Sequence, residues 1–422
     1  METGLPNGVD ISPSAARLSE SLRGIGYDFE SAVADLVDNS VAAGANVVTV
    51  SLQFDGENSW IGIGDDGSGM TAFGLSEAMR FGTRRKYGQD DLGKFGLGLK
   101  TASISQCRQL SVYTRRARAR NVISKLHLDL DEIALSDRWE VQTPPKDRVF
   151  EIAHDFLAKG PGTFVAWRNL DRIIDLDRPD SGWNRRRMNS NAVRLASHLG
   201  MVFHRFLEGE VAGRRKLSIF VNGVAVEPWN PFALGESTRQ LSDIFLPLSG
   251  TQLLLRRFVL PARSEFSSHE SFDLMAGPNK WNRQQGLYVY RGNRMIQSGG
   301  WSGLRAADEH TKLARVSLDF ETSVDTNFMI DVSKMRVGIP PEVKSLMVQP
   351  VNELVQIADA RYRSAAGSRK QVGATSRHRE GLGEAGAAIV VAALEEGLTS
   401  ELDRVMKRLS SSEPELAQAL GW

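Results

Sequence analysis

Two rhythms of polar and apolar positions run through the first third of the chain. Over Val47 to Phe54, the apolar Val48, Val50, Leu52 and Phe54 alternate with Thr49, Ser51 and Gln53, which predicts a strand with one buried face. Trp60 to Ile63 predicts a second strand running straight into Asp65-Asp66-Gly67-Ser68-Gly69-Met70. Helical spacing precedes both. Ser12 followed by Pro13 predicts a helix start, with the pattern running to Gly24. A second helix follows Asp28 as its cap and stops before Gly44, a residue suited to a left-handed turn. Phe81 to Gly98 holds five glycines and few apolar residues and reads as a mobile loop. Leu110 to Thr114 and Val122 to Leu130 read as a hairpin with an arginine-rich turn, Gly162 to Trp167 as a strand and Ala192 to Leu207 as a helix. Leu217 to Val226 reads as a hairpin turning at Asn222-Gly223.

The pattern breaks near Pro228 to Leu234. Beyond it, strands are expected at Leu253 to Leu260, Gly286 to Arg291, Ala314 to Phe320 and Phe328 to Val332. Ser364 to Gly386 is rich in glycine, alanine, serine and arginine and reads as a linker, and two short amphipathic segments follow, Ala387 to Leu394 and Leu398 to Leu409. The expected divisions are therefore 10–230, 231–360, a linker at 361–386 and a helical tail at 387–422. There is no internal repeat.

Composition removes whole classes of function. With 422 residues and 41% hydrophobic content, two or three domains can each bury a core. The single cysteine, Cys107, excludes an internal disulfide framework and multi-cysteine metal sites, so a cytoplasmic setting is expected. No apolar run approaches the roughly 18 residues of a membrane span, and the polar N-terminus lacks a signal-peptide core, so no membrane partner is expected. Charge sums to +1 but is uneven. Between Arg80 and Arg120 there are 11 basic and two acidic residues, a local +9 that leaves −8 for the rest. Arg115, Arg116, Arg118 and Arg120 form the densest group, and Arg185-Arg186-Arg187 another. Such groups suit phosphates without reading base sequence; a solvated turn, or a loop balancing a bound anion, carries the same charge.

The chemistry-bearing residues lie in four places. On the helix after Asp28, a turn of about 100° per residue puts Asp35, Asp38, Asn39 and Ala42 on one face, opposite Val33, Leu36, Val37, Ser40 and Val41. Alone, that stripe is also what a solvated helix face looks like. An amide oxygen there suits magnesium, which takes oxygen ligands and keeps several waters, and a carboxylate one turn away suits a general base. Asp65, at a strand end in an Asp-x-Gly-x-Gly pattern, can accept from an exocyclic amine, while Gly67 and Gly69 permit close approach of a flat ring. Gly93-Lys94-Phe95-Gly96-Leu97-Gly98 opens a helix whose first amides suit an anion. Gly162-Thr163 begins a strand.

In this order and spacing, Asp35-Leu36-Val37-Asp38-Asn39-Ser40, Asp65 to Gly69, Gly93 to Gly98 and Gly162-Thr163 resemble the four motifs of the GHKL ATPases (gyrase, heat-shock ninety, histidine kinase, MutL). The four motifs span about 150 residues; with the transducer described below, the resemblance covers about residues 10 to 345. It implies an α+β fold: a GHKL (Bergerat) two-layer α/β sandwich ATPase domain, then a smaller α/β transducer domain and a short helical tail. It further implies ATP and Mg2+ as ligands, with Asn39 on magnesium and Asp65 on the adenine amine, supported by Thr163. Gly93 to Gly98 would hold the triphosphate, with Met70 and Lys100 also in the nucleotide-binding set. Asp35 would be the general base, and Phe81 to Lys94 the lid. Two positions depart from the family pattern. Asp35 stands where a glutamate is usual, so either the helix sits slightly nearer and the shorter aspartate still orients water, or turnover is slow; Ala42 replaces a common aspartate.

Among the branches, no phosphoaccepting histidine helix precedes the motifs, there is no room for the chaperones' third domain, and no cleavage module is evident. Gly286 to Ile296 and Phe328 to Lys334 resemble the transducer of prokaryotic MORC-type and MutL-like ATPases, whose lysine reaches the γ-phosphate; Lys334 is that candidate, though a surface lysine at a strand end looks the same. This branch implies an ATP-gated homodimeric clamp acting on DNA, or within a DNA-directed complex such as anti-phage defence, with a protein partner for the tail. The competing class is a switch that senses ATP occupancy with negligible hydrolysis.

Overall fold

The computed structural model describes residues 13–24, 27–81, 98–117, 122–330, 337–370 and 380–422. Helix α1 (Ala15–Arg23) is capped by Ser14, whose hydroxyl accepts from the Arg17 amide at 3.2 Å; Ser12, the expected cap, lies outside the described residues. Helix α2 (Phe29–Ala42) starts at Asp28, whose carboxylate accepts from Ser31 N at 2.7 Å. There follow β1 (Val47–Gln53), β2 (Trp60–Asp65), α3 (Ala72–Met79), α4 (Gly98–Ile104), β3 (Gln109–Arg115), β4 (Ser124–Asp129), α5 (Leu130–Ser136), α6 (Arg148–Ala158) and β5 (Gly162–Arg168). Helices α7 (Gly182–Val202) and α8 (His204–Glu208) lead to β6 (Ser218–Val221) and β7 (Val224–Ala225). The last two strands join at Asn222-Gly223, both with positive φ, the turn that the dipeptide predicts.

The seven strands form one sheet in the order β4-β3-β5-β2-β1-β6-β7, antiparallel except for the β1–β6 pair. The pairing sets Val48, Asp65, Thr163 and Thr114 side by side across four strands. One face packs on the helical layer, burying Val48, Val50, Ile61, Ile63, Val112 and Trp167 with Val33, Val37, Leu195 and Leu199 from α2 and α7. Fully burying a side chain such as Ile61 contributes about 1.5–3 kcal/mol. Helix α6 covers part of the opposite face, burying Trp60, Tyr113, Phe164 and Ala166. Strand β2 is thus buried along its whole length, which explains why it reads as a continuous apolar run rather than an alternation. Gly64 makes room for that second layer, since a Cβ there would lie 2.7 Å from the Phe156 ring.

Helix α7 begins ten residues before the Ala192 expected from the pattern. Its buried stripe continues upstream through Asn191, Met188 and Asn184. Asn184 is fully buried because its side chain bonds the Asp175 amide and the Asp175, Arg178 and Pro179 carbonyls. A hydrophobicity count passes over asparagines in core positions.

By internal contacts the chain forms two units, Met1–Trp229 with Gly292–Ile296 and Glu321–Val337, and Asn230–Arg291 with Gln297–Phe320 and Gly338–Trp422. Past the first boundary come β8 (Arg239–Gln240), β9 (Ile244–Leu248), β10 (Thr251–Val259), α9 (His269–Met275), α10 (Lys280–Gln284), β11 (Gly286–Arg291), β12 (Arg294–Ser298) and β13 (Ala314–Phe320). They form a second sheet in the order β12-β11-β13-β10-β8, with β9 on β10. A two-stranded sheet joins β14 (Met329–Ile330) and β15 (Val337–Gly338). Helix α11 (Pro341–Lys370) and α12 (Glu380–Glu395) occupy much of the span expected to be a linker, because alanine and arginine are good helix formers even where apolar periodicity is absent. Helices α13 (Thr399–Ser412) and α14 (Pro414–Leu420) complete a helical tail in which Gly386 brings α12 against the Leu420 backbone. The architecture is mixed α+β, with two main sheets and a helical end. No helix among the described residues is long and apolar enough to cross a membrane.

Candidate functional site

Helix α2 carries the site's first group of residues. Asn39 and Ala42 are exposed, whereas Asp35 and Asp38 are 2% and 1% exposed, so the stripe is not a solvated face. Burying two carboxylates requires partners. Tyr27 donates its hydroxyl to Asp35 Oδ2 at 2.8 Å. Asp38 is paired with Arg294, whose Nε lies 2.9 Å from Oδ1 and 2.8 Å from Oδ2. Gly98, the first residue of α4, stands beside Asp35: a Cβ built on it would be 3.6 Å from Asp35 Oδ2. One turn further along, Ser40 donates to Asp65 Oδ2 at 3.0 Å. Residues of the first, second and third motifs thus meet along one helix.

Asp65 ends β2 and is buried. Its Oδ1 accepts from Gly67 N at 2.9 Å. Burial is the largest influence on the carboxyl and raises its pKa, against the hydrogen bonds from Gly67, Ser40 and Thr163. Thr163 is its neighbour on β5. Thr114 Oγ1 joins the segments by accepting from Met70 N at 2.8 Å, donating to Gly162 O at 3.0 Å and lying 3.2 Å from Thr163 Oγ1. The glycines serve the protein's own packing: a Cβ at Gly67 would lie 2.9 Å from that of Ala43, one at Gly69 2.0 Å from Arg115 O, and one at Gly162 1.9 Å from Asp65 O.

Residues 27–163 match the family model of histidine kinase-, DNA gyrase B-, and HSP90-like ATPases. The first unit carries a GHKL-type domain. No curated protein matches the chain. The match begins at Tyr27 and ends at Thr163, so it spans the α2 residues, Asp65 and the start of β5.

The other sequence-derived candidates of the GHKL-type domain fall in different places. Lys100 is buried, and its ammonium donates to the Ala78 and Arg80 carbonyls at 2.8 and 2.7 Å, holding the end of α3. Burial lowers its pKa to about 8. Arg115 donates to the Leu157 and Ala158 carbonyls at the end of α6, while Arg116 is exposed. Gly93, Lys94, Phe95, Gly96, Leu97, Arg118, Arg120 and Lys334 lie outside the described residues, as does most of the expected lid.

Three residues escaped the sequence reading. Tyr27 precedes the helix by two positions, Thr114 looks like any threonine in an alternating strand, and Arg294 lies far along the chain. No short-range pattern marks any of them. Magnesium fits the donor set at α2: an exposed amide at Asn39, one turn from Asp35, supplies the oxygen chemistry of an ion that keeps its remaining ligands from water and phosphate.

Proposed function

We propose that the chain binds ATP with magnesium and hydrolyses it slowly, as a MORC- or MutL-like enzyme that closes into an ATP-dependent homodimeric clamp on DNA or within a DNA-directed defence complex. The observation that carries the reading is the convergence on α2, where Asp35 stands beside Gly98 and Ser40 holds Asp65. Asp65, aided by Thr163, accepts from the adenine amine, with Gly67, Gly69 and Met70 shaping the turn beside it. The amides from Gly93 to Gly98 receive the triphosphate. Asp35 takes the proton from the attacking water as its oxygen bonds to the γ-phosphorus and ADP leaves. Asn39 would hold magnesium, which when bound supplies charge neutralisation at the phosphates. Lys334 adds a cation there. Arg116, Arg118 and Arg120 engage the DNA backbone more readily than Arg115, whose guanidinium is already bonded to α6. The helical tail offers a surface for a protein partner.

A second reading is an ATP-occupancy switch with negligible turnover. It draws on the Tyr27 hydroxyl already bonded to Asp35 Oδ2. Magnesium-dependent phosphate release, with and without duplex DNA, separates the two when wild type is compared with Asp35→Ala and Asp35→Glu. Turnover that survives Asp35→Ala removes the base assignment, and none in any condition favours the switch. Light scattering with a nonhydrolysable analogue tests dimerisation, which a monomer at saturation would refute. Salt-sensitive DNA binding unaltered by changing Arg116, Arg118 and Arg120 to alanine would place DNA elsewhere.

A further inference from the structure

The turn Gly292-Asn293 has positive φ at both residues, 53° and 68°, the two-residue geometry that projects Arg294 from a fixed backbone. Within the first unit this turn is anchored by Arg205, whose Nη1 lies 3.4 Å from Asn293 Oδ1, and by the Phe203 ring, 5.9 Å from the Arg294 guanidinium carbon. The Arg294 side chain is 4% exposed. Its Nε meets both oxygens of Asp38, and its Nη2 lies 3.7 Å from Asp35 Oδ1. That last distance is too long for a hydrogen bond but well within reach of the charge.

Two buried carboxylates three residues apart on a helix repel each other, and a rotation of either side chain would relieve the strain at the cost of its position. A cation that pairs fully with Asp38 leaves the face with the single negative charge a general base needs. The guanidinium holds separate nitrogens in one rigid plane, so Nε sits on Asp38 while Nη2 stays near Asp35, a fixed spacing that the single nitrogen of an ammonium does not supply. Tyr27 holds Asp35 from the Oδ2 side, so the base is bracketed between a hydroxyl and a guanidinium.

We propose that Arg294 is a positioning residue for ATP hydrolysis: by neutralising Asp38 it holds Asp35 in the orientation in which that carboxylate takes a proton from water. Arg294 is not a nucleotide ligand in this assignment, which rests on the hydrolytic reading above. The test uses the full chain, with kcat and KM for ATP from phosphate release and Kd for a nonhydrolysable analogue.

Arg294→Met is expected to lower kcat about 100-fold, the loss that follows a misplacement on the order of 1 Å, with KM and Kd within about threefold of wild type. Arg294→Lys, which keeps charge without the fork, is expected to recover part of that loss. Asp38→Asn is expected to lower kcat likewise, and the double variant to be no worse than the poorer single, because the two residues act as one unit. A wild-type kcat in Arg294→Met, a loss seen only in KM, or full additivity overturns the assignment. A rise in kcat also overturns it and makes Arg294 a restraint on the base. Should Arg294→Met fail to bind the analogue or to fold, Arg294→Lys and Asp38→Asn decide by the same split between kcat and KM. No turnover in wild type overturns the hydrolytic reading and this assignment together, and so differs from every failure of Arg294 alone.

Discussion

Replacing Asp65 by asparagine removes one charge and one acceptor atom while keeping size. The carboxylate offers about four acceptor sites. Gly67 N and Ser40 Oγ occupy two of them, at 2.9 and 3.0 Å, and Thr163 N draws on a third. About one is left for the exocyclic amine of adenine. An asparagine has a single acceptor oxygen and an NH2 that faces a donor, so it cannot serve the three protein groups and the amine together. A hydrogen bond to a charged group contributes about 1.5–3 kcal/mol, which predicts ATP binding weaker by about 10- to 150-fold. Leaving a protein donor unsatisfied also lowers stability, by about 1–3 kcal/mol. Base selectivity should shift as well. Inosine triphosphate, with an oxygen in place of the amine, should bind wild type poorly and Asp65→Asn comparatively better, since the new NH2 can donate to that oxygen. Calorimetric titration of both nucleotides, with a thermal melt to establish folding, measures each quantity. A folded Asp65→Asn that binds ATP within about twofold of wild type and prefers it to inosine triphosphate as strongly would refute the assignment.

Asn184→Ala should lower stability by about 2–3 kcal/mol in thermal denaturation, because the buried amide bonds one N–H and three carbonyls that would otherwise lack it; an unchanged melt would show that water replaces it. Gly64→Ala should cost about 1–3 kcal/mol by pressing on Phe156, and Phe156→Leu in the same chain should recover part of the loss in urea titration, whereas additive losses would place the strain elsewhere. His198 is held neutral, its pKa lowered to about 4 mainly by burial and then by the Arg294 charge. The unfolded chain therefore takes up this proton first, so the stability present above the ordinary value of 6.5 should decline as pH falls through that value toward about 4. His198→Gln should flatten the dependence, and an equally steep profile in that variant would assign it to other groups.

Local patterns carried much of the fold. Strand β1, the Asp28 cap and the Asn222-Gly223 turn follow from chemistry within a few residues, and there the expected and observed elements agree to within a residue or two. The first half of α7 was hidden because asparagines hold two of its three buried positions, and α14 because seven residues are too few to show a period. At the site, spacing singled out Asp35, Asn39 and Asp65 but left their surroundings open. The buried carboxylates of α2 are met by Tyr27 and Arg294, and Arg294 stands 256 residues from Asp38. Gly67 and Gly69, expected to admit a flat ring, also serve internal packing, with Ala43 and Arg115 O as the nearest neighbours of a Cβ built there. Contacts over such separations are written in the tertiary structure, not in any window of sequence.

The side-by-side placement of Asp65, Thr163 and Thr114 in the sheet makes the proposed adenine contact a property of strand pairing. Strand side chains point alternately to opposite faces, so a slip of one residue would turn Asp65 away altogether rather than loosen it. There is no half-formed version of this arrangement. Denaturant should therefore abolish nucleotide recognition and sheet structure in a single concerted transition, making ligand binding a reporter of the fold's global integrity rather than of a fraying loop.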